Sequence, residues 1–240
     1  MTKTKYILST GFGVFMLAFA FVASAAAPAL FGGATMYDGI VTLVSNTKDA
    51  DTNNDYSGIA FDVAEGTTVA DLSTLSTDYN VTDDDCAGGS PRFQLALDDD
   101  ADGTSDGNVF VYLGEAPNFT GCAENTWESS GELIGSTEER FDLTQFGGEF
   151  YSTNEDLIAQ LGDAEILEVT LVADGGWAFE DGEQTVLIDN VSVNGTDYEF
   201  TASPTTTNEC KNGGWKSYTN PTFKNQGQCV SSVQNNSRNR

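Results

Sequence analysis

An aspartate-rich segment near the middle of the sequence has the spacing of a loop that binds a divalent cation. Asp98, Asp100 and Asp102 occupy its first, third and fifth positions, and glycine follows at the sixth, where such loops turn sharply. Asp106, at the ninth position, adds a further carboxylate. The twelfth position is Val109, so the bidentate glutamate of an EF-hand is missing. We therefore expect a structural calcium ion in a loop between strands, with a solvated acidic turn as the alternative.

A second acidic loop offers alternating oxygen side chains without a glycine at the turn position. Its carboxylates include Asp49, Asp51 and Asp55, which form a further candidate calcium site. The alternative is an acidic loop that water alone solvates.

Asp189 is a candidate cation ligand for a different reason. The two-residue period of a strand places it on the same face as Leu187 and Val191. A carboxylate on an apolar face is costly unless it is paired or binds a cation, and residues 27–209 hold only three basic side chains. The sequence predicts a cation here, unless a bulge near Asn190 turns Asp189 outward.

Four aromatic side chains are candidates for stacking on sugar rings, with polar neighbours as hydrogen-bond partners. They are Trp177, Trp127, Tyr112 and Tyr151. Trp177 lies in a glycine-bounded loop between two predicted strands. The alternative for Trp177 is a core side chain that closes the end of the fold.

Catalytic motifs are scarce in the sequence. The chain has no histidine, which excludes Ser-His-Asp and Cys-His catalysis and every histidine metal ligand. There is no G-x-S-x-G motif, phosphate loop or dinucleotide fingerprint. Among 37 acidic residues, a pair of carboxylates at the spacing of a glycosidase arises by chance. The sequence favours a protein that is not an enzyme.

The N-terminus and the cysteines indicate export. Residues 1–26 read as a signal peptide, with a basic start, an apolar run and the small-residue pattern Ala23-Ser24-Ala25. An uncleaved anchor is the alternative, and no later segment is apolar enough to cross a membrane. Without any CxxC spacing, zinc is disfavoured, and we expect two disulfides that each lie within one block of the chain. These are Cys86–Cys122 and Cys210–Cys229.

Charge divides the chain into an acidic body and a basic tail. The net charge is −27, which argues against nucleic acid as a partner. Residues 27–209 hold every acidic residue, whereas residues 210–240 hold five basic residues and no acid. We expect a sandwich domain over 27–202, a linker over 203–209 and a tail over 210–240. The tail would dock either on its own acidic body or on an anionic cell-wall polymer.

The body has the pattern of an all-β fold. Apolar and polar residues alternate from Arg92 to Asp98, and the same period recurs in several other segments. Asn194-Gly195 predicts a tight hairpin. One short helix is expected after Thr153 or Asn154. Together these features predict an antiparallel, jelly-roll-like β-sandwich with one short helix and a small disulfide-closed C-terminal tail.

The run Val186 to Val193, VLIDNVSV, resembles the closing strand of jelly-roll carbohydrate-binding modules and related galactose-binding-like sandwiches. The resemblance implies a β-sandwich in which the aspartate of the IDNV motif, here Asp189, helps to hold a structural calcium ion. The segments CKNGGWK and FKNQGQCV of the tail are similar to a C-terminal motif of assorted secreted microbial proteins. That similarity implies an extracellular location and no particular activity.

These observations lead to a hypothesis of an exported, non-catalytic β-sandwich that binds glycan or cell-surface material, with calcium as a structural ion. A surface structural or adhesion protein without a small-molecule site is the alternative. A jelly-roll glycan hydrolase or lyase is a third candidate.

Overall fold

The structure is a computed structural model that describes residues 28–37, 39–48, 55–198, 200, 204, 206–218 and 223–238. The predicted signal peptide lies outside these residues. Within them, the chain forms twelve β-strands in two sheets and two α-helices. Every strand pair is antiparallel, which confirms the predicted all-β antiparallel sandwich. No helix among the described residues is long and apolar enough to cross a bilayer.

Sheet A contains six strands. In spatial order they are β1 (Ala29–Gly32), β4 (Ser57–Phe61), β10 (Glu165–Ala173), β6 (Arg92–Asp98), β7 (Gly107–Tyr112) and β9 (Phe141–Asp142). Strands that are neighbours in this sheet come from distant parts of the chain, except for the β6–β7 hairpin. The predicted calcium loop is the connection in that hairpin.

Sheet B also contains six strands. In spatial order they are β2 (Thr35–Tyr37), β3 (Ile40–Asn46), β11 (Glu183–Val193), β5 (Leu75–Asp83) and β8 (Glu128–Ser129), with β12 (Thr196–Tyr198) paired to β11. Asn194 and Gly195 connect β11 to β12 with positive φ angles of 47° and 75°, as the predicted hairpin requires.

The core fills the space between the two sheets, because each long strand alternates buried and outward side chains. Fully buried side chains of both sheets belong to one cluster, including Phe61, Phe93, Leu95 and Leu171 of sheet A and Leu43, Val186 and Ile188 of sheet B. Cys86 and Cys122 form a disulfide at the margin of this core. The second disulfide, Cys210–Cys229, lies in the tail, and both predicted pairings are confirmed.

Register shifts in β10 and β11 interrupt the alternation, and the one near Asn190 corrects a prediction. The register of β10 shifts between Ile166 and Glu168, so Ile166 faces the core and Leu167 is 37% exposed. The register of β11 shifts between Asp189 and Ser192, where Asn190 has a positive φ of 48°. Asp189 therefore lies on the face opposite Ile188 and Val191, and the predicted apolar surroundings of Asp189 are wrong.

Two helices are present where the sequence predicted one. α1 (Asn154–Leu161) begins as predicted, with Thr153 as the N-cap: its Oγ1 accepts a hydrogen bond from Asp156 N, and Asp156 accepts one from Thr153 N. α2 (Gln226–Arg238) was not predicted, because it carries few apolar residues and has no strong helical period. It belongs to the tail.

The bulge in β10 makes a matched pair of leucines available for a stability test. Leu171→Ala removes a fully buried side chain and should lower the free energy of unfolding by about 2–5 kcal/mol. Leu167→Ala, in the same strand, should cost less than about 1 kcal/mol because Leu167 is exposed to solvent. Urea unfolding measures both. Equal losses would show that Leu167 is in the core and that the bulge is misplaced.

Candidate functional site

The outer face of sheet A carries a cleft of about 330 Å³ with a mixed lining. Polar side chains form its centre, aromatic side chains form one rim, and two alanines leave the space open. The lining residues are Gln94, Asn108, Glu168, Thr170, Phe31, Tyr56, Ala60 and Ala96. We call this surface the sheet A cleft.

Strand register places the polar residues side by side. Thr170 of β10 is opposite Gln94 of β6, and one pleat further along, Glu168 and Asn108 flank Ala96. Neighbouring strands are about 4.8 Å apart, so these side chains form a continuous polar surface across three strands. They point outward because Phe93, Leu95, Val169 and Leu171, at the intervening positions, are committed to the core.

Arg92 fixes the side chain of Gln94 at one end of the cleft. Its guanidinium donates two hydrogen bonds to Gln94 Oε1, at 3.1 and 2.7 Å, and two to the Asp174 carboxylate, both at 2.6 Å. Gln94 Nε2 then faces Thr170 Oγ1 at 3.4 Å. Asp174 balances the charge of Arg92, so the network orients polar groups without making this end of the cleft positive.

The aromatic rim depends on a glycine in β4. Phe31 lies over Gly58, where an added Cβ would come within 2.4 Å of the phenylalanine ring. The rings of Phe31 and Tyr56 are 6.2 Å apart between centroids, and Tyr56 is 53% exposed. Tyr56 therefore offers a flat apolar surface beside the polar centre of the cleft.

Trp177 lies beyond Asp174, where β10 ends, and it is 65% exposed. Its ring rests on Gly88: a Cβ there would be 2.7 Å from a ring atom, and the φ of Gly88 is +61°. The interpretation of Trp177 as a core side chain that closes the end of the sandwich is therefore wrong. Because the ring is exposed but already held against the backbone, it can stack on a ligand with little further loss of side-chain conformational entropy.

Buried polar groups hold the turn that carries Trp177, Gly175–Ala178. Gln184 is fully buried; its Oε1 accepts hydrogen bonds from Ser90 Oγ at 2.6 Å and from Gly175 N at 3.2 Å. Its Nε2 donates to Asp85 O at 2.8 Å. Ser45 Oγ accepts a further bond from Gly176 N at 3.0 Å. The turn is thus tied to β3 and β11 of sheet B and to the loop between β5 and β6.

The other predicted stacking residues lie in different environments. Tyr112 is buried, with its hydroxyl donating to Asp142 Oδ2 at 2.7 Å, so its ring has no free face for a ligand. Burial raises the pKa of Tyr112 well above its ordinary value, and the Asp142 carboxylate adds to this. Tyr151 is partly exposed and packs edge-on against Phe150 at 4.8 Å. Trp127 is 44% exposed and directly precedes β8 in sheet B.

The predicted calcium loop brings three of its four aspartates together. One carboxylate oxygen from each of Asp98, Asp100 and Asp106 lies within 4.8 Å of the other two. Asp98 is 2% exposed and accepts hydrogen bonds from the amides of Asp102 and Gly103, at 3.2 and 2.7 Å. Asp102 does not join the three, and it accepts hydrogen bonds from Thr104 N and Oγ1 at 2.8 and 2.6 Å.

Repulsion between the carboxylates of this loop acts on Asp100. The negative charges of Asp102 and Asp106 raise the pKa of the Asp100 carboxyl above its ordinary value. The hydrogen bonds from Thr104 lower the pKa of Asp102. The loop therefore holds several carboxylates close together at neutral pH. A bound cation would relieve the repulsion between them.

The remaining predicted cation ligands are spread over the chain. Asp49 and Asp51 lie outside the described residues, and Asp55 is exposed beside β4. Asp189 is half-buried on the outer face of sheet B, where its carbonyl accepts a hydrogen bond from Thr77 Oγ1 at 3.2 Å. The structure does not bring Asp189 into either group of clustered aspartates.

A second group of carboxylates joins the acidic run at the end of β5 to Asp181, which follows the Trp177 turn. Carboxylate oxygens of Asp83, Asp84 and Asp181 lie within 4.8 Å of one another. Desolvation, together with the hydrogen bond and the charge of Asp181, raises the pKa of Asp84 to about 6. The same hydrogen bond lowers the pKa of Asp181. The two shifts have opposite directions, so Asp84 takes up a proton more readily than Asp181 does.

The cleft residues are the ones that sequence reasoning missed. Alternation marks Gln94 and Thr170 as outward-facing, but nothing local shows that they are neighbours, because β6 and β10 are far apart in the chain. Phe31 and Tyr56 belong to an edge strand and a loop that carry no periodic signal. Only the exposed Trp177 was named in advance at this end of the sandwich.

Comparisons with known proteins were made for the whole chain. No protein-family model matches it, and no curated protein matches it. Among solved structures, it is similar to the xyloglucanase domain of NopAA, a type three effector from Sinorhizobium fredii, in complex with cellobiose. The identity is 12% and the TM-score 0.34, over 73% of this chain and 95% of that one. The fold described above stands on the strand pairing of this chain alone.

The carboxylate pair of Asp84 and Asp181 predicts an unusual pH dependence of stability. An acid whose pKa is raised from 3.8 to about 6 on folding binds more protons in the folded state between those values. The contribution of Asp84 to the free energy of unfolding is therefore complete below pH 3.8 and is lost as the pH rises to about 6. Asp84→Asn keeps a hydrogen-bond donor and should raise the melting temperature at pH 7 by about 2–4 °C, with little gain at pH 4.

Calorimetry from pH 4 to pH 7.5 measures this difference. Asp197→Asn is the control, because it removes one negative charge from an exposed position on β12. A gain in Asp84→Asn that is independent of pH, or is matched by Asp197→Asn, would contradict the raised pKa of Asp84.

Proposed function

We propose that the sandwich domain is a glycan-binding protein of the exterior of the cell and that the sheet A cleft is its binding surface. The observation that carries the proposal is the combination of amide and hydroxyl groups in the cleft with the exposed ring of Tyr56 at its rim and the exposed ring of Trp177 beyond the end of β10. Gln94, Asn108 and Thr170 supply amide and hydroxyl groups that suit sugar hydroxyls. Tyr56 and Trp177 supply apolar faces that suit the C–H face of a sugar ring.

The dimensions of the face suit an oligosaccharide better than a single sugar. Asp174, directly after β10, is six positions beyond Glu168, which corresponds to about 20 Å at the rise of a strand. Trp177 extends the surface beyond that point. A ligand that contacts both Tyr56 at the rim and Trp177 at the end therefore has several linked rings.

The carboxylates of the cleft favour binding over hydrolysis. Glycoside hydrolysis by two carboxylates requires a separation of about 5–10 Å. Glu168 is the one carboxylate among the residues that line the cleft as described. Asp174 is about 20 Å away along the strand and is held by Arg92. We therefore place the protein with binding modules rather than with the hydrolases, which remain the third candidate.

Calcium is part of the same proposal, as a structural ion in the β6–β7 hairpin. Asp98, Asp100 and Asp106 provide converging hard oxygen ligands, which Ca²⁺ prefers. The ion would stabilise the end of β6, the strand that carries Arg92 and Gln94. Its role would be to support the fold around the cleft rather than to contact the ligand.

The calcium proposal predicts a stabilisation that depends on one carboxylate. With a dissociation constant of about 10⁻⁴–10⁻³ M, a tenfold excess of Ca²⁺ should raise the melting temperature by about 3–5 °C relative to chelator. Asp100→Asn should abolish the shift. Asp99→Asn is the matched control, since Asp99 is in the same loop but outside the clustered carboxylates. Magnesium at equal ionic strength tests selectivity, and equal melting temperatures in all three conditions would refute the site.

The glycan proposal predicts that Trp177 contributes to glycan affinity and that Trp127, which is also exposed, does not. A glycan array with neutral and anionic oligosaccharides identifies a ligand, and titration calorimetry then compares variants. Trp177→Ala and Tyr56→Ala should each weaken binding roughly three- to tenfold through the loss of stacking. Trp127→Ala removes a comparably exposed ring from the other sheet and should have no effect.

Three results would overturn this assignment. Failure to bind any glycan on the array would favour the structural or adhesion protein. Equal losses in Trp127→Ala and Trp177→Ala would remove the cleft as the binding surface. Release of shorter products from the bound oligosaccharide, abolished by Glu168→Gln in a folded protein, would make the protein a hydrolase.

A further inference from the structure

The C-terminal tail has a small core of its own. Cys210, Phe223, Cys229 and Val233 are buried together, and they form a cluster separate from the core of the sandwich. Tyr218 packs edge-on against Phe223, with 5.8 Å between ring centroids. The disulfide joins the two ends of this cluster across 19 residues. A disulfide is the usual means of stabilising a core this small.

The fold of the tail is specified by its own residues. Asn225 Oδ1 accepts a hydrogen bond from Gln228 N at 3.0 Å, and Gln228 Oε1 accepts one from Lys224 N at 2.7 Å. These reciprocal bonds start α2 in the manner of a capping box. α2 then places Cys229 and Val233, four residues apart, on its buried side.

The surface of the tail is basic. Residues 210–240 contain five basic residues and no acid, although the rest of the chain carries 37 acidic residues. Lys211, Lys216 and Lys224 are all exposed. At physiological salt the Debye length is about 8 Å, so a ligand bound to these lysines responds mainly to charges within that distance. Against these three positive charges stands the carboxylate of Glu209, whose Oε2 accepts a hydrogen bond from the Tyr218 hydroxyl at 3.5 Å. The positive charges outnumber it, so the tail can attract anions despite the net charge of the whole chain.

The lysines are not engaged by the acidic body in the described structure. Both ion pairs among the described residues, Arg92–Asp174 and Arg140–Glu138, lie in the sandwich. Lys211 Nζ donates to Asn208 Oδ1 at 2.7 Å, and Lys216 Nζ lies 5.5 Å from the Trp215 ring centroid. These contacts hold the two ammonium groups in place without neutralising them. The arrangement favours an external anion over docking of the tail on its own body.

We propose that the C-terminal tail binds a polyanionic polymer of the cell exterior through Lys211, Lys216 and Lys224. The ligand chemistry is a repeating phosphate or carboxylate, because ammonium groups spread over a small surface match several anionic groups better than one. The sequence presented this as one of two alternatives, and the exposure of the three lysines supports it over docking on the acidic body. The inference does not depend on the sheet A cleft, whose central polar groups are uncharged apart from Glu168.

The test uses the full chain with its disulfides intact and two immobilised probes without sugar rings, polyphosphate and poly-L-glutamate. Wild-type protein should be retained by at least one probe at low salt and released as salt is raised. Lys211→Gln, Lys216→Gln and Lys224→Gln combined should weaken retention roughly tenfold or more, since three charge contacts are lost. The corresponding triple Lys→Arg variant should bind like wild type. Lys48→Gln removes a body lysine and is the matched control.

The two probes distinguish phosphate-bearing from carboxylate-bearing polymers, and either result supports the proposal. Retention on neither probe would overturn it, as would equal retention of the triple Lys→Gln variant and wild type. Binding only to vesicles that contain phosphatidylglycerol would replace the polymer with a membrane surface and would also overturn it. Melting curves of the triple variant verify the fold, and a loss of stability without any polymer binding would indicate docking on the acidic body.

Discussion

The pairing of β10 with β6 is the interaction on which the rest of the structure depends. In this register Val169 and Leu171 enter the core, while Thr170 is brought beside Gln94 on the outer face. A slip by one residue would exchange the two faces and remove both core and cleft. The fully buried leucines therefore fix the position of polar groups that contribute little to stability themselves. The strand register that packs the core therefore also determines which side chains line the cleft.

Charge is the second constraint on this protein. The sandwich has few basic side chains, and the two arginines among them form the ion pairs of the described structure. The other carboxylates must be solvated, tolerate a close carboxylate at the cost of a raised pKa, as at Asp84, or collect a cation, as proposed at Asp98. The separation of the basic residues into a tail with its own core fits a protein with two ligands of different charge.

Local patterns in the sequence were sufficient for much of the fold. The alternation from Arg92 to Asp98, the Asn194-Gly195 hairpin and the cap at Thr153 all act over a few residues, and each is present as predicted. The nine-residue strand β5 was missed because it has few apolar residues and pairs with distant segments.

The two bulges explain most of what the sequence could not provide about the site. A bulge adds one residue to a strand and inverts every face assignment beyond it, and no local composition marks it. Asp189 was therefore placed among apolar residues, with a bulge near Asn190 as the alternative that the structure contains. The cleft itself depends on register between distant strands. The clustering of aspartates in the calcium loop could be predicted from the sequence, because Asp98, Asp100 and Asp106 are close in sequence as well as in space.

The most direct test of the account is a map of the bound ligand on uniformly ¹⁵N-labelled protein. Titration with the best oligosaccharide should shift the backbone amides of Gln94, Asn108 and Thr170, together with the indole N–H of Trp177. The amides around Trp127 and β8 should remain in place. Shifts that concentrate on sheet B, with the sheet A cleft unaffected, would contradict the central claim that the outer face of sheet A binds glycan.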